Sequence, residues 1–413
     1  MTDETKPDEK PDERPDETKN LDITTKLVHA GERQPLPSGE PVSTPIYATS
    51  TFTYGSMQEM DRVFAGEQPG YVYTRHGNPT LAALEQSMLA IEEGATACVY
   101  ASGMAAMHAA LIACDLRAGS TVLASQDIYG ATTNLLFTVF SSFGVKTSTA
   151  NFSDVAALRE KVREVRPQVM LAETISNPLL KICDIEACAE IARENNARLI
   201  IDNTFASPYL CQPLKLGADM VTHSATKYLG GHADAMGGVV VSRDEFDANA
   251  LMSAMKLVGG VLGVWEAHTI LRGIKTLALR MDRQCDNARR LAEHLSGNSS
   301  IARVHYPSLT ENGAELAKRI LRAPHAGALV SIELKENTRE AAFRFMDALR
   351  LCVRSTSLGD VFTSVLHAAS ASHRDLTPAR REELGIVEGL VRISVGIENI
   401  DDVIADVEQA LGK

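Results

Sequence analysis

Residues 198–204 read Arg198-Leu199-Ile200-Ile201-Asp202-Asn203-Thr204: three apolar side chains, then an acid, an amide and a hydroxyl. Short apolar runs of the same kind occur at 97–100, 121–124, 169–172, 220–222 and 239–241. Helical stretches separate several of them. In one, Asn78-Pro79 reads as an N-cap followed by Pro at the first helical position, and Leu81, Leu84, Met88 and Ile91 then recur at helical spacing. Buried runs alternating with helices predict an α/β fold with a large, mostly parallel sheet covered on both faces. Ligands of such sheets bind beyond the carboxyl ends of the strands. The polar residues just after each run are therefore the candidate site.

Working outward, the pattern changes near residue 262. Residues 265–296 read as one long helix despite Gly273, followed by a strand at 328–334, a helix over 338–350, a strand at 391–395 and a last helix over 400–411. These predict a main domain over 76–262 and a smaller C-terminal α/β domain over 263–413. A chain of 413 residues is longer than one core usually organises. Residues 1–20 repeat a Pro-Asp-Glu unit at 7–9, 11–13 and 15–17, and Met1 is their one hydrophobic residue. They cannot bury enough surface to offset their ordering entropy, so a disordered, solubilising acidic tail is expected.

The formal net charge of −12 argues against broad nucleic-acid or anionic-membrane binding. Seven cysteines without CxxC spacing suggest neither a disulfide framework nor a zinc site, so no metal is expected. No apolar leader or membrane-length run is present, and the reducing cytoplasm is the expected location.

The run Val221-Thr222-His223-Ser224-Ala225-Thr226-Lys227-Tyr228 ends at a lysine with two hydroxyls close before it. A loop lysine alone is usually a surface charge. Here its amine can form an imine with an aldehyde cofactor while Ser224 and Thr226 donate to a phosphate. Asp202 can pair with a protonated pyridine nitrogen or simply cap its loop. Ser102-Gly103-Met104 opens a helix of small residues, whose free N–H groups make an anion site. Tyr129 can stack on a planar ring or pack. Asn177, in Ala172-Glu173-Thr174-Ile175-Ser176-Asn177-Pro178, can hydrogen-bond a ring hydroxyl or serve turn chemistry.

The stretch from His223 to His232, His-Ser-Ala-Thr-Lys-Tyr-Leu-Gly-Gly-His, resembles the cofactor-lysine signature of the Cys/Met-metabolism enzymes that use pyridoxal 5′-phosphate (PLP). That family includes cystathionine γ-synthases and lyases, methionine γ-lyases and O-acetylhomoserine sulfhydrylases. Further matches follow in family order: Tyr73-Thr74-Arg75 with Asn78-Pro79-Thr80, Ser102-Gly103-Met104, Tyr129-Gly130, Glu173-Thr174 with Asn177-Pro178, Asp202-Asn203-Thr204, Ser357-Leu358-Gly359 and Val391-Arg392-Ile393-Ser394-Val395-Gly396. The resemblance implies the type I PLP fold and a homotetramer of two tight dimers with shared active sites. It implies that Lys227 carries the cofactor, Asp202 pairs with its ring nitrogen with Thr204 beside it, Tyr129 stacks on the ring, and Asn177 lies near its hydroxyl. Ser102, Gly103, Met104, Ser224 and Thr226 would hold the phosphate. Residues 21–75 would form an arm whose Tyr73 and Arg75 reach the neighbouring subunit's phosphate. Arg392 would clamp the carboxylate of a small amino-acid substrate, with Ser357 helping.

The reaction implied is γ-elimination from a sulfur amino acid, with Lys227 moving the protons and Tyr129 protonating the leaving sulfur. Cystathionine enzymes commonly carry Glu shortly after Ser-Leu-Gly, whereas here Ser357-Leu358-Gly359-Asp360-Val361 leads to Phe362. An apolar ring there favours a small distal group such as that of methionine or homocysteine. Methionine γ-lyases typically show Cys after Tyr-Gly, and this chain has Ala131. Cystathionine γ-lyase, O-acetylhomoserine sulfhydrylase and cystathionine γ-synthase stay open as alternatives, and a non-catalytic binding protein is a more remote one.

Overall fold

The computed structural model describes residues 20–30, 41–374 and 376–412, so the expected acidic tail, Asn20 apart, lies outside the described residues. Seven strands form the first sheet: β1 (Thr96–Tyr100), β2 (Thr121–Ser125), β3 (Lys146–Ala150), β4 (Val169–Glu173), β5 (Arg198–Asp202), β6 (Met220–Ser224) and β7 (Gly238–Ser242). Their order is β1-β7-β6-β5-β4-β2-β3, with only β7 antiparallel to its neighbours. The central strands are almost wholly buried, because helices cover both faces and every residue of a two-sided strand meets a core. β3 has no apolar run. It is a half-exposed edge strand of sequence Lys-Thr-Ser-Thr-Ala, held by its parallel pairing with β2.

Three helices that approach the carboxyl edge begin on side-chain caps. Asn78 Oδ1 accepts from Thr80 N at 2.9 Å, with Pro79 in the first turn. Ser102 Oγ accepts from Ala105 N at 3.1 Å to start the helix Gly103–Ala113, and Asp184 caps Ile185–Glu194 in the same way.

The second sheet contains β8 (Ile301–His305), β9 (Leu329–Leu334), β10 (Val353–Arg354), β11 (Ser364–His367) and β12 (Leu390–Ser394), in the order β10-β11-β12-β9-β8. The single helix expected over 265–296 is two, Val264–Ile274 and Leu277–Leu295. At the break, Thr276 Oγ1 and Arg280 Nη2 both donate to the carbonyl of Gly273, removing it from the helical ladder. Gly273 itself lies so close to the Gly230 carbonyl that a side chain there would collide with it, which pins this corner onto the loop after Lys227. Near the start of the described chain, the helix Ile23–His29 packs on Pro79–Glu92, and the buried Lys26 donates to Glu93 at 2.5 Å.

Candidate active site

Parallel register aligns Glu173, Asp202 and Thr222 across β4, β5 and β6, so the polar residues that follow emerge along one carboxyl edge. They open into a cavity of about 390 Å³. Ser102, Gly103, Met104, Tyr129, Asn177, Asp202, Thr204, Ser224, Thr226, Lys227 and Arg392 all line it, as expected from the sequence. The rest of the lining is largely apolar and includes Met107, Ile175, Phe205, Met236, Leu358 and Leu366. Leu358 apart, which lies in the Ser357-Leu358-Gly359 motif, no motif marks these residues, which meet only through the fold. Ser357 lines an adjoining recess instead.

Lys227 Nζ donates to Ser357 Oγ at 3.2 Å. Burial lowers its pKa, the Arg392 charge lowers it further, and Asp360 opposes both. On β5, Asp202 Oδ1 accepts from Thr204 N at 2.9 Å, and Thr204 Oγ1 in turn accepts from Ser224 N at 2.8 Å. The two strand ends that carry Asp202 and the lysine loop are thereby tied together. Burial raises the Asp202 pKa, against the hydrogen bonds of Thr204 and the nearby His223. Glu173 Oε1 accepts from Tyr129 N at 2.6 Å, which sets where the tyrosine enters the cavity. Burial, then the neighbouring Asp202, hold the Glu173 carboxyl well above the ordinary range.

Arg392 is 3% exposed, and no carboxylate lies within ion-pair distance of it among the described residues. Its Nη1 donates to Asn177 Oδ1 at 2.8 Å and its Nη2 to Ser357 O at 3.4 Å. The guanidinium also lies 5.7 Å from the Phe205 ring centroid. Burial lowers its pKa to about 10. A buried cation held only by neutral groups is a binding site for an incoming anion.

Besides Ser357, three expected residues do not join this cavity. Tyr73 is exposed, with Arg75 stacked 5.4 Å from its ring centroid and donating to Lys256 O at 2.9 Å. Neither lines the cavity of its own chain. Phe362 is half-buried and also outside the lining, because the backbone on either side of it is tied away: Val361 to Gly231 and Ile397, Thr363 to Glu398. Its expected place against the substrate is thus not reached in this chain.

The residues fit pyridoxal 5′-phosphate. Gly103 presses so closely on Ser224 that a Cβ would sit 2.8 Å from the serine Cβ, leaving a helix N-terminus flanked by hydroxyls open to an anion. A buried carboxylate at Asp202 suits a ring cation, and the depressed lysine suits an aldehyde. No group of metal-ligating side chains occurs among the described residues, and no described helix is long and apolar enough to cross a membrane.

The family model described as Cys/Met metabolism PLP-dependent enzyme matches residues 24–412. An L-methionine gamma-lyase of Fusobacterium nucleatum subsp. polymorphum is 41% identical over 399 residues, covering 96% of this chain and 99% of that protein. A cystathionine gamma-synthase of Mycobacterium bovis is 41% identical over 389 residues, covering 94% and 96%. Among solved structures, one described as an O-acetylhomoserine (thiol)-lyase of Campylobacter jejuni subsp. jejuni has a TM-score of 0.89 at 29% identity, covering 95% of this chain and 100% of that one. That protein carries N′-pyridoxyl-lysine-5′-monophosphate. Since the family match runs over both sheets and through every loop of the cavity, the chain belongs to the Cys/Met metabolism family of PLP-dependent enzymes.

Proposed function

We propose that the protein is a carbon–sulfur lyase that eliminates a thiol from the γ-carbon of methionine or homocysteine, releasing 2-oxobutyrate and ammonia. The observation that carries this reading is the unpaired buried guanidinium of Arg392 in one cavity with Lys227, the remaining lining being mostly apolar. Cystathionine ends in a second charged amino-acid head. The lining contributes no cation besides Lys227 and Arg392 to receive it, whereas methionine ends in an apolar methylthio group.

Bound PLP supplies an electron sink that acidifies protons on the substrate carbons. Lys227 would hold the cofactor and Asp202 would pair with its ring nitrogen, with Thr204 steadying the acid and Asn177 available to its ring hydroxyl. Ser102, Gly103, Met104, Ser224 and Thr226 hold the phosphate. Arg392 binds the substrate carboxylate, with Ser357 at its side. The low proton affinity of the buried Lys227 amine suits it to take a proton at Cα and return it along the substrate. Tyr129 covers the ring and protonates the leaving sulfur. Tyr73 and Arg75 complete the phosphate site of a neighbouring subunit in a cytoplasmic homotetramer, which accounts for their lying outside their own cavity.

The purified enzyme is offered methionine, homocysteine, cystathionine, and O-acetylhomoserine with sulfide, and keto acid and thioether products are followed. Faster 2-oxobutyrate release from methionine or homocysteine supports the reading. Preference for cystathionine, or replacement without keto acid, assigns it to the cystathionine lyases or to the γ-replacement enzymes.

A further inference from the structure

Asp360 is fully buried, and neither carboxylate oxygen reaches a hydrogen-bond partner among the described residues. An unsatisfied buried carboxylate is strongly destabilising, so its retention calls for a compensating charge. Its segment lies flat on the lysine loop. A Cβ on Gly359, which has φ +82°, would sit 2.7 Å from Tyr228 N and 3.1 Å from Lys227 C. Val361 N donates to Gly231 O at 3.0 Å, and Gln284 Nε2 fixes the Asp360 carbonyl at 2.8 Å. Three residues before Asp360 in the same segment, Ser357 Oγ accepts from the Lys227 amine.

Arg280 is 4% exposed and likewise has no carboxylate within ion-pair distance among the described residues. It donates to Tyr228 O at 2.8 Å and to Gly273 O at 2.8 Å, and its guanidinium fills the space that a side chain at Gly231 would need. A buried anion, Asp360, a buried cation, Arg280, and the half-buried Lys227 thus share a single loop region.

We infer that Asp360 is the electrostatic counter-ion of the Lys227 amine, a positioning residue that sets the proton affinity of the cofactor-bearing nitrogen, with Arg280 keeping Asp360 ionised. The inference rests on the proposed attachment of the cofactor to Lys227. Mutual effects run in the required sense. Asp360 raises the affinity of Lys227 for its proton and also that of Arg280; burial raises the Asp360 pKa, and the Ala233 N–H, Lys227, His232 and Arg280 oppose that rise. The other ionisable groups on the lysine's cavity are Arg392 from β12, Asp202 from β5, Glu173 from β4 and Tyr129. Tyr228 completes the set facing Asp360. Asp234, exposed, and Glu266, half-buried, line the recess beside Ser357, so Asp360 is the fully buried carboxylate of this set.

The test is a spectrophotometric pH titration of the holoenzyme and of Asp360→Asn, following the visible band of the bound cofactor, with thermal unfolding as the control for folding. Removing a negative charge destabilises the protonated nitrogen, so the midpoint should fall by roughly one pH unit or more. An unmoved midpoint in folded Asp360→Asn overturns the inference. Asp360→Ser, whose small hydroxyl leaves room for water, is titrated identically if the amide variant does not fold. Failure of both to fold makes Asp360 a structural residue and also overturns it. Borohydride reduction of the wild type, with mass analysis of the peptide carrying Lys227, separates the two claims: an unlabelled Lys227 removes the proposed function, whereas a labelled Lys227 with an unmoved midpoint removes only the role of Asp360.

Discussion

Arg392 of β12 donates to Asn177 Oδ1 at 2.8 Å, so a cation of the second sheet is anchored by a neutral amide on the loop after β4 of the first. The amide orients the guanidinium without cancelling its charge. Under the proposed function, the substrate carboxylate would meet a positive charge already aimed.

Arg392→Met should lose about 100-fold in kcat/KM, the worth of two charge-assisted hydrogen bonds at roughly 1.5 kcal/mol each, most of it in KM. The same change removes a buried, unpaired cation, so the thermal midpoint should stay within a few degrees of wild type. Steady-state kinetics and thermal unfolding check the two halves. A large loss of stability with unchanged KM would refute the clamp.

Gly103→Ala should weaken the cofactor cradle. The new methyl would sit 2.8 Å from Ser224 Cβ and would have to push the helix start off β6. Strain of about 1–3 kcal/mol predicts PLP binding weaker by roughly 10-fold or more. Titration of the cofactor-free protein with PLP, followed by absorbance, measures it.

Lys227→Ala should abolish turnover and leave a folded protein whose colour is no longer fixed by borohydride. Its amine makes one hydrogen bond, to Ser357, and no ion pair among the described residues, so little stability is lost with it. Keto acid assay, circular dichroism and mass analysis after reduction report the three outcomes. Normal turnover would refute the role.

Glu85 predicts a pH dependence of stability. Burial pushes its carboxyl up to about 7 from an ordinary 4.5, against one hydrogen bond from Val99 N at 3.3 Å. The folded chain therefore keeps a proton that the unfolded chain releases between those values, and stability falls as pH rises through that window. Glu85→Gln keeps the acceptor and removes the ionisation. It should be more stable than wild type at about pH 8, by up to roughly 3 kcal/mol, and converge with it below about pH 5. Denaturant unfolding at both values decides.

Much of the first sheet was legible because two-sided burial writes a strand as a bare apolar run, as in 199–201 and 239–241. β3 was not, since an edge strand takes its stability from pairing and tolerates Lys146, Thr147, Ser148 and Thr149. β8 and β10, at the edges of the second sheet, escaped for the same reason, whereas the internal, buried β11 offers only Val365 and Leu366 between Ser364 and His367, too short an apolar run to read. The division at Thr276 depends on a carbonyl captured by side chains, which periodicity does not report. Lys227, Asp202 and Arg392 announced themselves by following strands or by family pattern. Met236, Leu366 and Ser372 are ordinary residues made relevant by distant contacts: Gly130, for example, lies directly against the Ser372 carbonyl. Phe362, adjacent to a motif in sequence, lies outside the cavity lining of its own chain, as Tyr73 and Arg75 do.

The antiparallel β7 sets an order of events during synthesis. Gly238 lies hard against the carbonyl of Ser102, so the phosphate cradle cannot take its shape until the ribosome has released the chain to the end of β7 at Ser242. Arg392 emerges much later. Under the proposed function, the residues of this chain that would cradle the cofactor are thus all synthesised before the arginine that would grip the amino acid.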